Sequence, residues 1–396
     1  MRRLVWVLLL FSCSKEEILP VVPPPQVIPV FQKNYMLPSY DLQGTDINID
    51  MLSFRANKEK INSGWNILAV SFLDINGDGN DDIFYNSSYG QNVRTQGKIF
   101  IYKDGDYVLD NSYITTSLIH PRKSIVGDFN NDKMPDIFVA AHGYDYHPFT
   151  GEHCQLLLSN TNKKYNLVEF KQREDFYHGA ASGDIDKDGD LDIFVLGRLD
   201  SYFLINDGKG NFTYSLTNID KSSLTEQYTC ELIDIDKDNN LDLIMGGHEF
   251  MNGNTTRIYW GDGSGKFNNK TDIPNVPNLG VITDLDVYDL DADGKNEIVV
   301  ARTGGKLVNQ NEFSNFYSGW YIQILTITNR NPIDATSTFI EGNVYNQTKI
   351  DNQEWIPWLR FQDYDKNGKV DLYSTKCTNL NMVRWELRDK KLIRIN

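Results

Sequence analysis

The chain has 396 residues, a formal net charge of −15, 40% hydrophobic and 12% aromatic residues. This is enough apolar material for a sizeable core, and its acidity, with no lysine–arginine stripe, excludes a nucleic-acid-binding surface. Cys154, Cys230 and Cys377 stand far apart at no metal-ligand spacing, so they read as buried thiols and not as a disulfide framework.

At the N terminus, Arg2 and Arg3 precede the apolar run Leu4 to Phe11. That run is too short to span a bilayer, which takes about 20 residues, and residues 1–12 read as a secretory signal. Leu10-Phe11-Ser12-Cys13 resembles a bacterial lipobox, with Phe11 where a small residue is usual. The resemblance implies lipidation of Cys13 and a membrane anchor. Ser14-Lys15-Glu16-Glu17 resembles the short acidic signal that sends some lipoproteins to the outer face of the outer membrane; the periplasmic face is the alternative. Residues 13–30 include the Pro20–Val30 segment, a semi-rigid tether. Residues 31–64 form an extension with a candidate strand at Ile47–Phe54, which could serve as a closing strand of the main domain, 65–396.

One pattern then recurs six times. Its fullest form is Asp184, Asp186, Asp188 and Asp192, at positions 1, 3, 5 and 9 of a loop with Gly189 at position 6. Alternate residues of a tight loop converge, and clustered carboxylate oxygens suit a hard cation such as Ca2+. Without one the like charges repel. Equivalent sets are Asp74, Asn76, Asp78, Asp82; Asp128, Asn130, Asp132, Asp136; Asp234, Asp236, Asp238, Asp242; Asp289, Asp291, Asp293, Glu297; and Asp363, Asp365, Asn367, Asp371. The second set has Lys133 at the glycine position and is expected to bind most weakly. Six bound Ca2+ ions would cancel most of the chain's net negative charge.

Successive loops start 54, 56, 50, 55 and 74 residues apart, a spacing that signals a repeat architecture. Each unit reads as four short strands: one into the loop, one out of it, and a hairpin such as Tyr202–Ile205, the turn Asn206–Gly210, and Asn211–Tyr214. An insertion after Ala301 explains the long last interval. Four antiparallel strands per repeat is the blade of a β-propeller. Six blades are expected, with a seventh drawing on residues 31–64 as the alternative. No stretch has convincing helical periodicity.

EF-hand loops need an acid at position 12; here that position holds Tyr85, Val139, Val195, Met245, Val300 or Ser374. The pattern D-x-[DN]-x-[DN]-G-x-x-[DE]-[IL] between two strands instead resembles the FG-GAP/VCBS repeat family, known from integrin α chains. The resemblance covers residues 65–396 and implies a propeller with structural Ca2+ between the first two strands of each blade.

Blade topology places the acidic loops on one face. The connections between second and third strands, and between blades, fall on the other. His120, His142, His147, His153, His178 and His248 fall there, as do Arg198 and Arg302, read as equivalent positions. Tyr89, Tyr144, Tyr146, Tyr177, Tyr228, Trp320, Trp355 and Trp358 add aromatic surface. Such a face suits an extracellular glycan or protein. The alternative is a polysaccharide lyase in which His142, His178 or His248 removes a proton beside a uronate held by Arg198 and Arg302. His142, His147 and His153 could also hold a transition metal. No phosphate loop, nucleophile elbow or dinucleotide fingerprint is present.

Overall fold

The computed structural model describes residues 68–395, apart from short stretches; the longest are 88–92, 220–226, 250–253, 315–318, 346–354, 363–369 and 375–382. The signal segment, Cys13, the tether, the candidate strand at Ile47–Phe54 and any seventh blade built from residues 31–64 lie outside the described residues, as do Asp363, Asp365, Asn367, Cys377, Tyr89 and Trp358.

Six antiparallel four-stranded sheets follow one another along the chain. The first strands are Leu68–Leu73, Pro121–Gly127, Tyr177–Gly183, Gln227–Ile233, Val281–Tyr288 and Leu359–Gln362. Each pairs with a second strand that leaves the acidic loop, as Gly183 pairs with Asp192 and Ile233 with Asp242. A third and a fourth strand complete each blade. The second strands are buried on both faces: Asp136–Ala141, Asp192–Gly197 and Asp242–Gly247 are buried at every position. This explains why they read as continuous apolar runs, since a strand sandwiched between neighbouring blades has no solvent face. This is a β-propeller fold.

Some details depart from the sequence reading. The fourth strand of blade four is Asn269–Asp272, and Phe267 instead forms a parallel bridge with Ile219. A single helical turn, Thr336–Phe339, follows blade five. Ile340–Glu341 then adds a parallel fifth strand to blade six beside Lys391–Arg394. The insertion of blade five carries its own hairpin, Lys306–Asn309 with Glu312–Ser314.

The cores lie between blades. One joins blades two and three through Phe138, Tyr177, Val195 and Tyr202; another joins blades three and four through Phe194, Phe203, Cys230 and Tyr259. Cys154 and Cys230 are buried free thiols, and burial pushes the Cys230 thiol up to about 12. Polar bonds stitch the first strands together on the inside of the ring. Ser71 and Ser124 hydroxyls lie 2.7 Å apart, Thr283 donates to the Ile356 carbonyl at 2.7 Å, and the Leu359 N–H donates to Asp284 at 2.9 Å. Lys123 of blade two passes blade three and reaches the Cys230 carbonyl and the Glu231 carboxylate of blade four, both at 3.3 Å.

Candidate functional site

The five described acidic loops share one geometry. The aspartate at position 1 accepts the backbone N–H of position 6: Gly79 to Asp74 at 2.8 Å, Lys133 to Asp128 at 2.9 Å, Gly189 to Asp184 at 3.1 Å, Asn239 to Asp234 at 3.0 Å and Gly294 to Asp289 at 2.9 Å. Position 6 lies at positive φ in these loops, from 94° at Gly189 to 68° at Asn239. Glycine adopts this at little cost. Lys133 and Asn239 adopt it because the loop's hydrogen bonds hold them there.

The carboxylate at position 9 ties the loop to its blade. Asp192 accepts from the Ile185 and Asn206 N–H groups, and Asp242 from those of Ile235 and Gly261. Burial, acting against these bonds, raises Asp82 and Asp136 to about 6, and Asp192, Asp242 and Glu297 to about 7. Desolvated carboxylates held close together need a cation or protons.

In three loops the acids converge. Oxygens of Asp184, Asp186 and Asp192 lie within 4.8 Å of one another, as do those of Asp234, Asp236 and Asp242, and of Asp289, Asp291 and Glu297. Asp184 Oδ1 and Asp186 Oδ1 are buried without a hydrogen-bond partner. Oxygen-only donors with unfilled lone pairs fit a hard divalent cation. The second loop is more self-contained. The Asn130 amide donates to the Ser159 carbonyl at 2.9 Å, and the Ser159 hydroxyl donates to both Asp132 oxygens at 3.0 and 3.1 Å.

On the opposite face, one register rule assembles a second cluster. The first strands of blades two to five each carry a bulge six residues before the first acid of their loop, at Arg122, His178, Tyr228 and Thr283. A bulged residue leaves the ladder and its side chain is re-aimed. Fourteen residues after the first acid, just beyond the second strands, stand His142, Arg198 and His248 in blades two, three and four. The two sets meet in a row of rings. His120 lies 4.8 Å from His142, His142 4.7 Å from His178, His178 4.5 Å from Tyr228, and Tyr228 4.5 Å from His248. Phe176 stacks on His142 at 4.4 Å, with the Arg198 guanidinium 5.3 Å from its ring centre.

Burial holds these imidazoles neutral. His142 is lowered to about 3, by burial and then by Arg122; His248 falls to about 4 by burial, and His120 and His178 lie well below the usual range. Beside the row, the loop after His142 exposes Tyr146 and Phe149, at 47% and 50% of their surface. Tyr144 and Tyr146 meet edge to face at 5.4 Å, and Phe149 reaches Phe176 at 6.3 Å.

The FG-GAP-like repeat model matches residues 74–139, 184–245 and 234–300. The chain carries FG-GAP-like repeats. No curated protein matches it. Among solved structures, similarity extends to an Agrocybe aegerita lectin described for recognition of non-reducing terminal N-acetylglucosamine. That match has 14% identity, 68% of this chain and 64% of that one covered, and a TM-score of 0.42. The Dos1 propeller matches at 8% identity, with 78% and 65% covered and a TM-score of 0.44. The V. cholerae biofilm matrix protein Bap1 matches at 16% identity, with 65% and 37% covered and a TM-score of 0.35. The chain thus spans less than two thirds of the length of each.

Within the FG-GAP-like repeats, several residues stand elsewhere than the sequence suggests. Arg302 is not the equivalent of Arg198. It pairs with Ile282 as Gly197 pairs with Tyr177, each partner seven residues before its loop. Arg302 therefore sits one position earlier than Arg198, and a one-residue offset in a strand reverses the side a residue faces. Its side chain is fully buried and bonds Glu249 at 2.7 and 3.1 Å, Gln323 at 2.7 Å, and the Leu279 and Pro274 carbonyls at 3.2 Å. It locks blades four and five and has no donor to offer a substrate. Tyr177 and Trp320 are core residues, and Trp355 packs against the core. His153 is held by Glu152 at 2.7 Å and Glu169 at 3.3 Å, so His142, His147 and His153 do not form a metal set. Arg122 and Phe176 were missed by sequence reasoning. Arg122 was findable, because it precedes Asp128 by the same interval as His178 precedes Asp184.

Proposed function

We propose that this protein is a cell-surface lipoprotein whose Ca2+-stabilised propeller binds an extracellular glycan or protein through the face opposite the acidic loops. One observation carries the reading. Tyr146 and Phe149 are exposed on a loop that rests, through Phe176, against a buried row of histidines drawn from three blades. Large exposed aromatics on a rigid scaffold are how proteins grip sugar rings and partner side chains. The acidic loops supply rigidity on this reading. Asp184, Asp186 and Asp192, with their counterparts in loops four and five, would hold Ca2+ and so fix each hairpin to its blade. Cys13 would anchor the chain at the outer membrane, with residues 13–30 as the tether.

Binding is preferred over elimination chemistry. The lyase reading assigns Arg198 and Arg302 to the uronate, and Arg302 is consumed by Glu249. The test is affinity electrophoresis of the folded protein in Ca2+ against neutral and acidic polysaccharides, comparing wild type with Tyr146→Ala/Phe149→Ala. Retardation that the double variant loses is expected. Retardation unaffected by the double variant would move the site elsewhere. Growth of unsaturated-uronate absorbance with an acidic polysaccharide would make the protein a lyase.

A further inference from the structure

Blade five leaves open a space that blade four closes. In blade four the outer turn runs between Arg257–Trp260 and Asn269–Asp272, and its Gly265 N–H donates to the Ile185 carbonyl of the third acidic loop at 2.9 Å. In blade five Thr328 pairs with Asn331, so the outer turn is only Asn329 and Arg330. Among the described residues, no backbone N–H of this turn closes on the carbonyl of Ile235, the counterpart of Ile185. A cleft of about 560 Å³ opens there, between the fourth and fifth acidic loops. Its volume falls in the range of small-molecule sites.

The lining is mixed. Ile235 is buried and Ile327 half-buried, and they give the cleft its apolar part; Asn296, Thr328, Asn329 and Arg330 give it polar groups. Arg330 is held in place by the Asp236 and Asp238 carboxylates and by the Trp260 ring. These ion pairs use Nε and Nη2, so the Nη1 donors stay unspent. Asn329 and Arg330 both lie at positive φ, where the outer turns of blades three and four carry glycines. Their side chains are thus kept at a conformational cost, as at functional sites.

This chemistry selects the guest. Amides and a hydroxyl donate and accept side by side, as sugar hydroxyls require, and isoleucine carbons among them suit the C–H face of a pyranose. An acidic guest is disfavoured. Arg330 is already matched by two aspartates, and Lys295 lies 4.0 Å from Asp293. The fourth and fifth loops carry four carboxylates each, more than one divalent ion per loop would offset, and like charges repel.

We propose that this cleft is a second carbohydrate site, taking a neutral disaccharide on the acidic-loop face. Asn296, Thr328, Asn329 and the Nη1 of Arg330 meet the hydroxyls, and Ile327 meets the C–H face. The site is separate from the face that carries Tyr146 and Phe149 and does not depend on what that face binds.

The test is calorimetric titration of the folded protein in Ca2+ with cellobiose, maltose, lactose and N,N′-diacetylchitobiose, with digalacturonate as the acidic comparison. At least one neutral sugar should bind. Asn296→Ala/Asn329→Gly removes both amides, and glycine suits the φ of the turn, so the variant should melt as wild type does. It should weaken that sugar about tenfold. Thr328→Ala, at an exposed position, should weaken it several-fold and serves where the amide variant melts early. Tyr146→Ala/Phe149→Ala should leave the affinity unchanged, which separates this site from the opposite face. Silence with all four neutral sugars overturns the proposal, as does unchanged affinity in the folded cleft variants. Loss of the sugar in Tyr146→Ala/Phe149→Ala overturns it by moving the sugar to the other face. Digalacturonate binding that the amide variant weakens overturns the preference for a neutral guest.

Discussion

Nε of Arg330 lies 2.6 Å from Oδ2 of Asp236, and its Nη2 lies 2.6 Å from Oδ2 of Asp238. Arg330 belongs to blade five, in the tight turn after Trp320–Thr328, while the two aspartates are positions 3 and 5 of the fourth acidic loop. Asn329 and Arg330 have φ of 51° and 60°. Such a turn prefers glycine second, so the arginine bears strain on the order of 1 kcal/mol. It also lies over Trp260, with 5.2 Å between guanidinium and ring centre. Blade five thus lends a cation to the loop of blade four, where a metal ion would compete for the same oxygens.

Arg330→Gln should therefore have two effects. In EDTA it should lower stability by about 1 kcal/mol or less, because Arg330 is 36% exposed and water screens the pair. In Ca2+ titrations followed by Trp260 fluorescence, the fourth loop should bind several-fold more tightly. Identical titrations of wild type and variant would show that Arg330 and the ion do not share the site.

On the proposed Ca2+ assignment, chelation should destabilise the whole array. For each loop, free Ca2+ at 100 times its dissociation constant adds about 2.7 kcal/mol. Melting in EDTA should fall well below melting in millimolar Ca2+. Asp186→Asn, which keeps the shape but removes one charge from the third loop, should narrow the gap between the two curves. A melting temperature indifferent to EDTA would refute the Ca2+ assignment.

The buried histidines set an acid limit. Burial depresses their folded pKa values below the ordinary value of 6.5, to about 3 for His142 and about 4 for His248. The unfolded chain thus binds protons that the fold refuses. Their contribution is fully present above pH 6.5 and declines as pH falls towards the folded values, by about 1.4 kcal/mol per pH unit for each imidazole. Urea unfolding at pH 7 and pH 5 should show a smaller pH effect in His142→Gln than in wild type. Equal effects would mean that His142 is solvated and titrates normally.

The aromatic loop can be disturbed without touching its rings. Gly143 has φ of 85°, and a Cβ there would come 2.5 Å from the Thr150 carbonyl oxygen. Gly143→Ala should shift Tyr146 and Phe149 and weaken ligand retention at least tenfold. The melting temperature should fall by only a few degrees, because the loop is surface structure. Retention equal to wild type would detach this loop from binding.

Much of the fold was readable because the acidic loops act as rulers. Each fixes where one strand ends and the next begins, and the alternation that follows is forced by the pleat. Glycine, asparagine and lysine at position 6 all take the same backbone shape, so the pattern tolerated its own exceptions. The site was less readable. Placing Arg302 required the pairing register, not the spacing alone, since a shift of one residue sent it into a buried lock with Glu249. The bulges at Arg122 and His178 also escaped, because a bulge is visible only once the partner strand is known. Phe176 is buried, and one face of it supports His142.

The contact made by Arg330 has counterparts around the ring. Lys163, in the outer turn of blade two, donates to the Asn76 carbonyl of blade one at 3.0 Å; Asn131 of blade two donates to Gly208 of blade three at 3.3 Å; and Gly265 of blade four donates to Ile185 of blade three at 2.9 Å. In every case the outer turn of one blade leans on the acidic loop of the blade before it. The molecule therefore has a handed sense of dependence, like overlapping roof tiles. An ion lost from one loop loosens the tile above it first, so damage should spread along the chain towards the C terminus and not equally in both directions.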